Sequence, residues 1–195
     1  MRPALEIDAC RASHRRLLTA LVSLTDDDLR VPSRLPKWSR AHVVAHLANK
    51  SDAHVALFGG AAIDEVRRLF PVGFDQDRAA DDRASCSSDE LRADLEQSFV
   101  NLESAWDALD DDLWDRRGIM TAGPRTMAEI ITHHLRDVEV HHVDLGIGYR
   151  NEDWPAEFVE GELERRLRCL PDRCGHSDLL AWLLGRAPAP ELGPW

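Results

Sequence analysis

Nine histidines stand in this chain of 195 residues, and most of them gather in two stretches, 42–54 and 133–142. In the second stretch His134, Asp137 and His141 recur at three- and four-residue steps, the spacing that lines side chains along one edge of a helix. Asp137 and His141, four residues apart, reach one point in space. A carboxylate and an imidazole so placed supply two ligands of a divalent metal, and the third must come from a facing helix. The first stretch offers His42, His46 and His54. A helical wheel puts His54 deepest, His46 at the edge and His42 outermost, so periodicity leaves that choice open. Three protein ligands in place of four leave a position for water or substrate. The same spacing also suits histidines that are only hydrogen bonded or solvated, because Asp-x-x-x-His is far less specific than paired CxxC motifs.

Helical periodicity dominates the elements that must position these groups. A first helix is predicted over about residues 4–24, carrying Ile7, Cys10, His14, Leu17, Leu18, Leu21 and Leu24. Ser39 caps a second helix that stops at Gly59-Gly60, residues 61–70 form a short helical piece, and 71–88 read as a long surface loop. Ser87 and Glu90 have capping-box spacing and open a third helix to about residue 109. A turn-rich linker follows, with extended structure at Gly118 to Met120. Thr126 and Glu129 open the fourth helix, which runs to about Gly146. On its wheel Met127, Ile131, Leu135, Val138 and Leu145 form the core face, while Glu139, Val140 and Val143 point elsewhere. Trp154-Pro155 starts a further helix to about Leu170, and Ser177 caps a last one. The predicted architecture is mainly α: an up-down four-helix bundle over 1–149, with a small C-terminal α/β or helical appendage over 150–195 packed on it.

Composition excludes several classes of function. With 24 Lys+Arg against 35 Asp+Glu the formal net charge is −11, and no basic tract offers a track for nucleic-acid phosphates. No apolar run is long enough to span a membrane, and the first ten residues lack the apolar core of a signal peptide, so a cytoplasmic protein is expected. Cys10, Cys86, Cys169 and Cys174 are too sparse and irregular for a disulfide scaffold, and Cys169, Cys174 and His176 make a weak metal pattern. All the basic residues except Lys37 and Lys50 are arginines, which with much Ala, Asp and Leu reflects a GC-rich genome.

Three segments together resemble a known family. LPKWSRAHVVAHLANKSDA in the second helix, RDVEVHHVDLGIGY in the fourth and DLLAWLLGR near the end are similar, in this order, to the mycothiol-dependent maleylpyruvate isomerases, within the DinB-like superfamily of metal-binding four-helix bundles. The resemblance implies a divalent metal, zinc, held by His46, Asp137 and His141, with mycothiol, the actinobacterial low-molecular-weight thiol, as cosubstrate. It implies that Arg186, after the LLG of the last motif, and Arg78, in the long loop, lie near the site. Partners would be mycothiol and a small electrophile bearing a carboxylate, with no nucleic acid and no membrane. Two features depart from the family: aspartate stands at 137 where glutamate is usual, its carboxylate about 1.5 Å nearer the backbone, and the C-terminal region is short. Three functions follow as expectations. The first is thiol-dependent cis-trans isomerisation by addition of a metal-activated thiolate. The second is a mycothiol S-transferase of detoxification or natural-product biosynthesis, and the third a non-catalytic DinB-like binding or stress protein.

Overall fold

Side-chain caps set where the long helices begin. In a computed structural model, which describes residues 1–192, Ser87 and Thr126 each accept from the backbone N–H three residues on, while Glu90 and Glu129 accept from the N–H of the capping residue itself. Ser39 uses His42 in the glutamate's place, with the Ser39 N–H donating to Nδ1 at 3.3 Å. The helices so opened are α3 (Arg40–Ala62), α5 (Ser88–Ala108) and α6 (Met127–Asp144), and with α1 (Ala4–Leu21) they form the bundle. Shorter helices, α2 (Asp26–Arg30) and α4 (Gln76–Ala84), fill the connections. Strands β1 (Arg117–Met120) and β2 (Gly123–Thr126) pair antiparallel, so the extended structure predicted near Gly118 becomes one arm of a hairpin.

Cross-helix contacts fix the order and direction of the four long helices. Around the ring α1 packs on α6, α6 on α3, α3 on α5 and α5 on α1, so the first and second long helices stand on a diagonal. Cys10, His14 and Arg16 meet Ile131, His134 and Glu139 in the same sequence order, which makes α1 and α6 parallel. His46 and His54 meet His141 and His134 in opposite order, so α3 is antiparallel to α6. Arg11 bonds Asp107 and Arg92 bonds Val22, so α5 is antiparallel to α1. The expected four-helix bundle is present, but its helices run up, down, down, up in place of the simple up-down alternation read from the sequence. Parallel neighbours α3 and α5 need a return along the whole bundle, which residues 63–87 provide.

That crossover is where the structure departs most from the sequence reading. Residues 61–70 form no separate helix: α3 continues to Ala62, and the chain then doubles back. A Cβ on Gly60 would sit 2.7 Å from the Glu65 carbonyl oxygen, so Gly60 permits the reversal instead of ending the helix. The predicted loop over 71–88 contains α4, capped by Asp75, with Ala80 buried. Arg83 anchors it, donating to Asn49 and Asp52 on α3 and to Asp94 and Ser98 on α5. Glu139 is a second correction: the wheel turns it away from the core, whereas it is fully buried against α1.

The chain divides into two compact units, Met1–Asp153 and Trp154–Trp195. The regular structure of the second is all helical among its described residues, with α7 (Ala156–Cys169), a short 3-10 turn and α8 (His176–Leu183). Gly175, not Ser177, occupies the N-cap of α8, and Phe158 and Leu179 are its buried apolar residues. No helix among the described residues is long and apolar enough to cross a membrane.

Candidate metal centre

Antiparallel packing of α3 on α6 converts two helical rows into a ladder of facing polar side chains. Steps of four on α3 bring His46, Lys50 and His54 opposite His141, Asp137 and His134. The His46 and His141 rings meet edge to face with centroids 5.1 Å apart. On the next rung the Lys50 ammonium pairs with Asp137 Oδ2, and Arg136 approaches Oδ1 at 3.7 Å. The third rung sets His54 against His134 at 5.2 Å.

Second-layer groups orient the first rung. Asp144 Oδ2 lies 2.9 Å from His141 Nδ1; an ionised carboxylate can only accept, so the ring proton sits on Nδ1 and Nε2 is left as a donor of electrons to a metal. Trp38 covers His46 with its ring 5.1 Å away and is held by its indole N–H to Asp77 on α4 at 3.1 Å. Burial, then the neighbouring His141 and Lys50, push the His46 imidazole down to about 3, so the ring is neutral, the form that binds metal. For Asp137 burial acts upward, but Lys50, Arg136 and His141 outweigh it and hold the carboxyl at about 2. The donors thus match a divalent ion in kind and protonation. As they stand, no three His, Cys, Asp or Glu side chains converge among the described residues to grip an ion, and the Asp137 carboxylate is occupied by Lys50.

Other predicted residues fall elsewhere. His42 serves the α3 cap and bonds Asp81 at 2.9 Å, which takes it out of the ligand choice. Arg78 lies near the start of α4, exposed, with its backbone N–H on Asp75 Oδ1. Arg186 belongs to the second unit, exposed after α8, with its N–H on the Ala181 carbonyl. His134 and His54 turn into the interior: His134 Nε2 is 2.8 Å from His14 Nε2, and His14 Nδ1 is 2.7 Å from Glu103. Sequence reasoning missed Lys50, Asp144, Trp38 and Arg34. Lys50 was signalled by its step of four after His46, and Asp144 by its step of three after His141. Arg34 hydrogen-bonds the Asp144 carbonyl through its backbone amide at 2.8 Å, and its exposed side chain passes Gly146. For an ion held by His141, replacing Asp144 by Asn is expected to weaken binding about 10–100-fold, because the ring's orientation loses its anchor. Competition against a chromophoric chelator measures this, and unchanged affinity would show that Asp144 only stabilises the helix end.

Comparison with known proteins gives one family and a small set of folds. The family model described as mycothiol maleylpyruvate isomerase N-terminal domain matches residues 10–146. A crystal structure of the mycothiol-dependent maleylpyruvate isomerase is 22% identical over 82% of this chain and 67% of its own, with a TM-score of 0.77. YfiT from Bacillus subtilis, described as a probable metal-dependent hydrolase with an unusual four-helix bundle topology, is 18% identical over 78% of this chain and 89% of its own, with a TM-score of 0.65. At such identities these structures establish the shared bundle fold. No curated protein matches the chain.

Proposed function

Because the chain belongs to the family of mycothiol maleylpyruvate isomerase N-terminal domains, we propose that it is a mycothiol-dependent metalloenzyme in which a thiolate adds to a small electrophilic acid. Its reference reaction is the cis-trans isomerisation of maleylpyruvate. The observation that carries this reading is the seating of neutral His46 against His141, with Asp144 behind the latter and Asp137 one turn away.

His46, His141 and Asp137 are the residues that would hold the ion, and their imidazole and carboxylate donors suit zinc. A dication bound there supplies the positive charge that keeps a thiol ionised near neutral pH. The protein's own groups do the rest. Asp144 keeps the His141 proton on Nδ1, and Trp38 excludes water from one side of His46. Arg34 and, by resemblance to the family, Arg78 would offer paired hydrogen bonds to a substrate carboxylate. Addition of the thiolate to a cis-enedione acid turns the double bond into a rotatable single bond. Elimination after rotation restores the double bond in trans and returns the thiol, so no protein nucleophile is consumed.

The test is incubation of zinc-loaded protein with mycothiol and maleylpyruvate, followed by mass spectrometry. Fumarylpyruvate with thiol recovered is the expected result, and it should disappear in His46→Ala. A persistent thiol adduct would assign the S-transferase outcome instead. No thiol-dependent product would leave the non-catalytic binding role and overturn the proposal.

A further inference from the structure

Between α3 and α6, the cation already seated in the ladder is a side chain of the protein. Lys50, one of two lysines in the chain, places its ammonium on Asp137 Oδ2, with the two side chains 16% and 11% exposed. Arg136 faces the other oxygen at 3.7 Å, so each carboxylate oxygen has a cationic neighbour. His46 and His141, one turn along, meet ring to ring, with Asp144 behind His141 and Trp38 against His46. An ion carried by the two imidazoles reaches a full donor set only by taking an Asp137 oxygen. The ammonium and a dication cannot share that oxygen, since both positive charges would lie within a few ångströms in a poorly hydrated site.

Resting on the metal reading above, we propose that Lys50 is a tethered counter-ion that competes with the divalent metal for Asp137 and so sets the affinity of the site. Without metal, Lys50 compensates a buried carboxylate whose other cationic neighbour, Arg136, stays at 3.7 Å. With metal, the ammonium must leave Asp137, so every binding event includes the breaking of an ion pair. An ion pair that served only the fold would change stability when removed and leave metal affinity as it was.

The experiment uses the full chain stripped of metal, with zinc titrated against a chromophoric chelator. Lys50→Met is expected to bind zinc roughly 10–100-fold more tightly than the unmodified protein, having lost the competing charge. In thermal melts the same variant should start lower without zinc and gain more from its addition. Lys50→Gln, which keeps the length and a hydrogen bond to the carboxylate, gives a second measure if the Met variant does not fold, and it too should bind more tightly. Lys50→Arg keeps the charge and should bind no more tightly than the unmodified protein. Equal affinity in all four proteins overturns the inference and leaves the metal reading standing. Zinc binding in none of them overturns both.

Discussion

Acidification from about pH 6 to about pH 4.5 is expected to cost the bundle on the order of 4 kcal/mol, enough to unfold a domain of ordinary stability. The cause is a row of buried neutral histidines meeting edge to face, contributed by three of the long helices. His54 comes from α3, His134 from α6 and His14 from α1, and Glu103 of α5 receives the end of the row. Burial pushes the His54 imidazole down to about 3 and drives His134 well below its ordinary 6.5. Burial also lowers His14, although Glu103 opposes it. Neutral in the fold and titrating near 6.5 when unfolded, such a histidine makes the unfolded chain bind the extra proton. Its stabilising effect is full above the unfolded value and is lost as pH falls from 6.5 toward the folded value, at about 1.4 kcal/mol per pH unit for each residue. His54 and His134 alone give a slope near 3 kcal/mol per unit. Denaturant unfolding followed by circular dichroism across this range measures it, and a flat profile would overturn the account. His54 sharpens the test because both its ring nitrogens are buried without a hydrogen-bond partner. His54→Leu removes those polar atoms, so it should hold or raise stability at neutral pH while flattening the acid slope by about 1.4 kcal/mol per unit.

Local chemistry was the readable part of this sequence, and long-range pairing was not. Ser87 with Glu90 and Thr126 with Glu129 announce helix starts because the partners lie three residues apart, and both boxes form. The row from His134 to His141 is visible for the same reason. α4 escaped notice because QDRAADDRA carries almost no apolar face; it is held by Arg83 reaching partners on α3 and α5. Helix direction was also hidden, since a hydrophobic stripe looks the same pointing up or down. The long stretch between α3 and α5 was the available clue, for antiparallel neighbours rarely need so much chain. Lys50 shows the limit within the site itself. Its step from His46 was legible, but that its ammonium meets Asp137 depends on the register of α3 against α6.

Glu139→Ala is expected to destabilise the bundle by about 1–3 kcal/mol, the cost of removing a buried carboxylate from the half-exposed Arg16 and from Tyr149. The Glu139 side chain is 0% exposed, it pairs with Arg16 of α1, and it accepts the Tyr149 hydroxyl at 2.6 Å. Tyr149 in turn stacks on His142 with ring centroids 3.9 Å apart. Truncation therefore takes the carboxylate from a half-exposed guanidinium whose Nε is buried without a partner, leaves the tyrosine hydroxyl on the Asp153 carbonyl at 3.2 Å, and opens a void. Glu139→Gln should cost less, because it still accepts from Tyr149 and loses only the charge. Tyr149→Phe alone should cost about 1 kcal/mol, and close to nothing when added to Glu139→Ala, since the hydroxyl then has no carboxylate to bond. Chemical denaturation of the four proteins closes this cycle, and a Glu139→Ala loss below 1 kcal/mol would overturn the assignment. The consequence reaches the site through α6. One edge of that helix carries Asp137 and His141 toward α3, while Glu139 fixes another edge to α1. Parallel helices have no tight turn to set their register, so the Arg16–Glu139 ion pair, together with the Cys10–Ile131 and His14–His134 contacts, does for α1 and α6 what a hairpin does for antiparallel neighbours. Replacing Arg16 and Glu139 together by methionine tests that role separately from charge burial. If the double variant regains stability but binds zinc more weakly than the unmodified protein, the pair is retained for the register it imposes, not for the stability it adds.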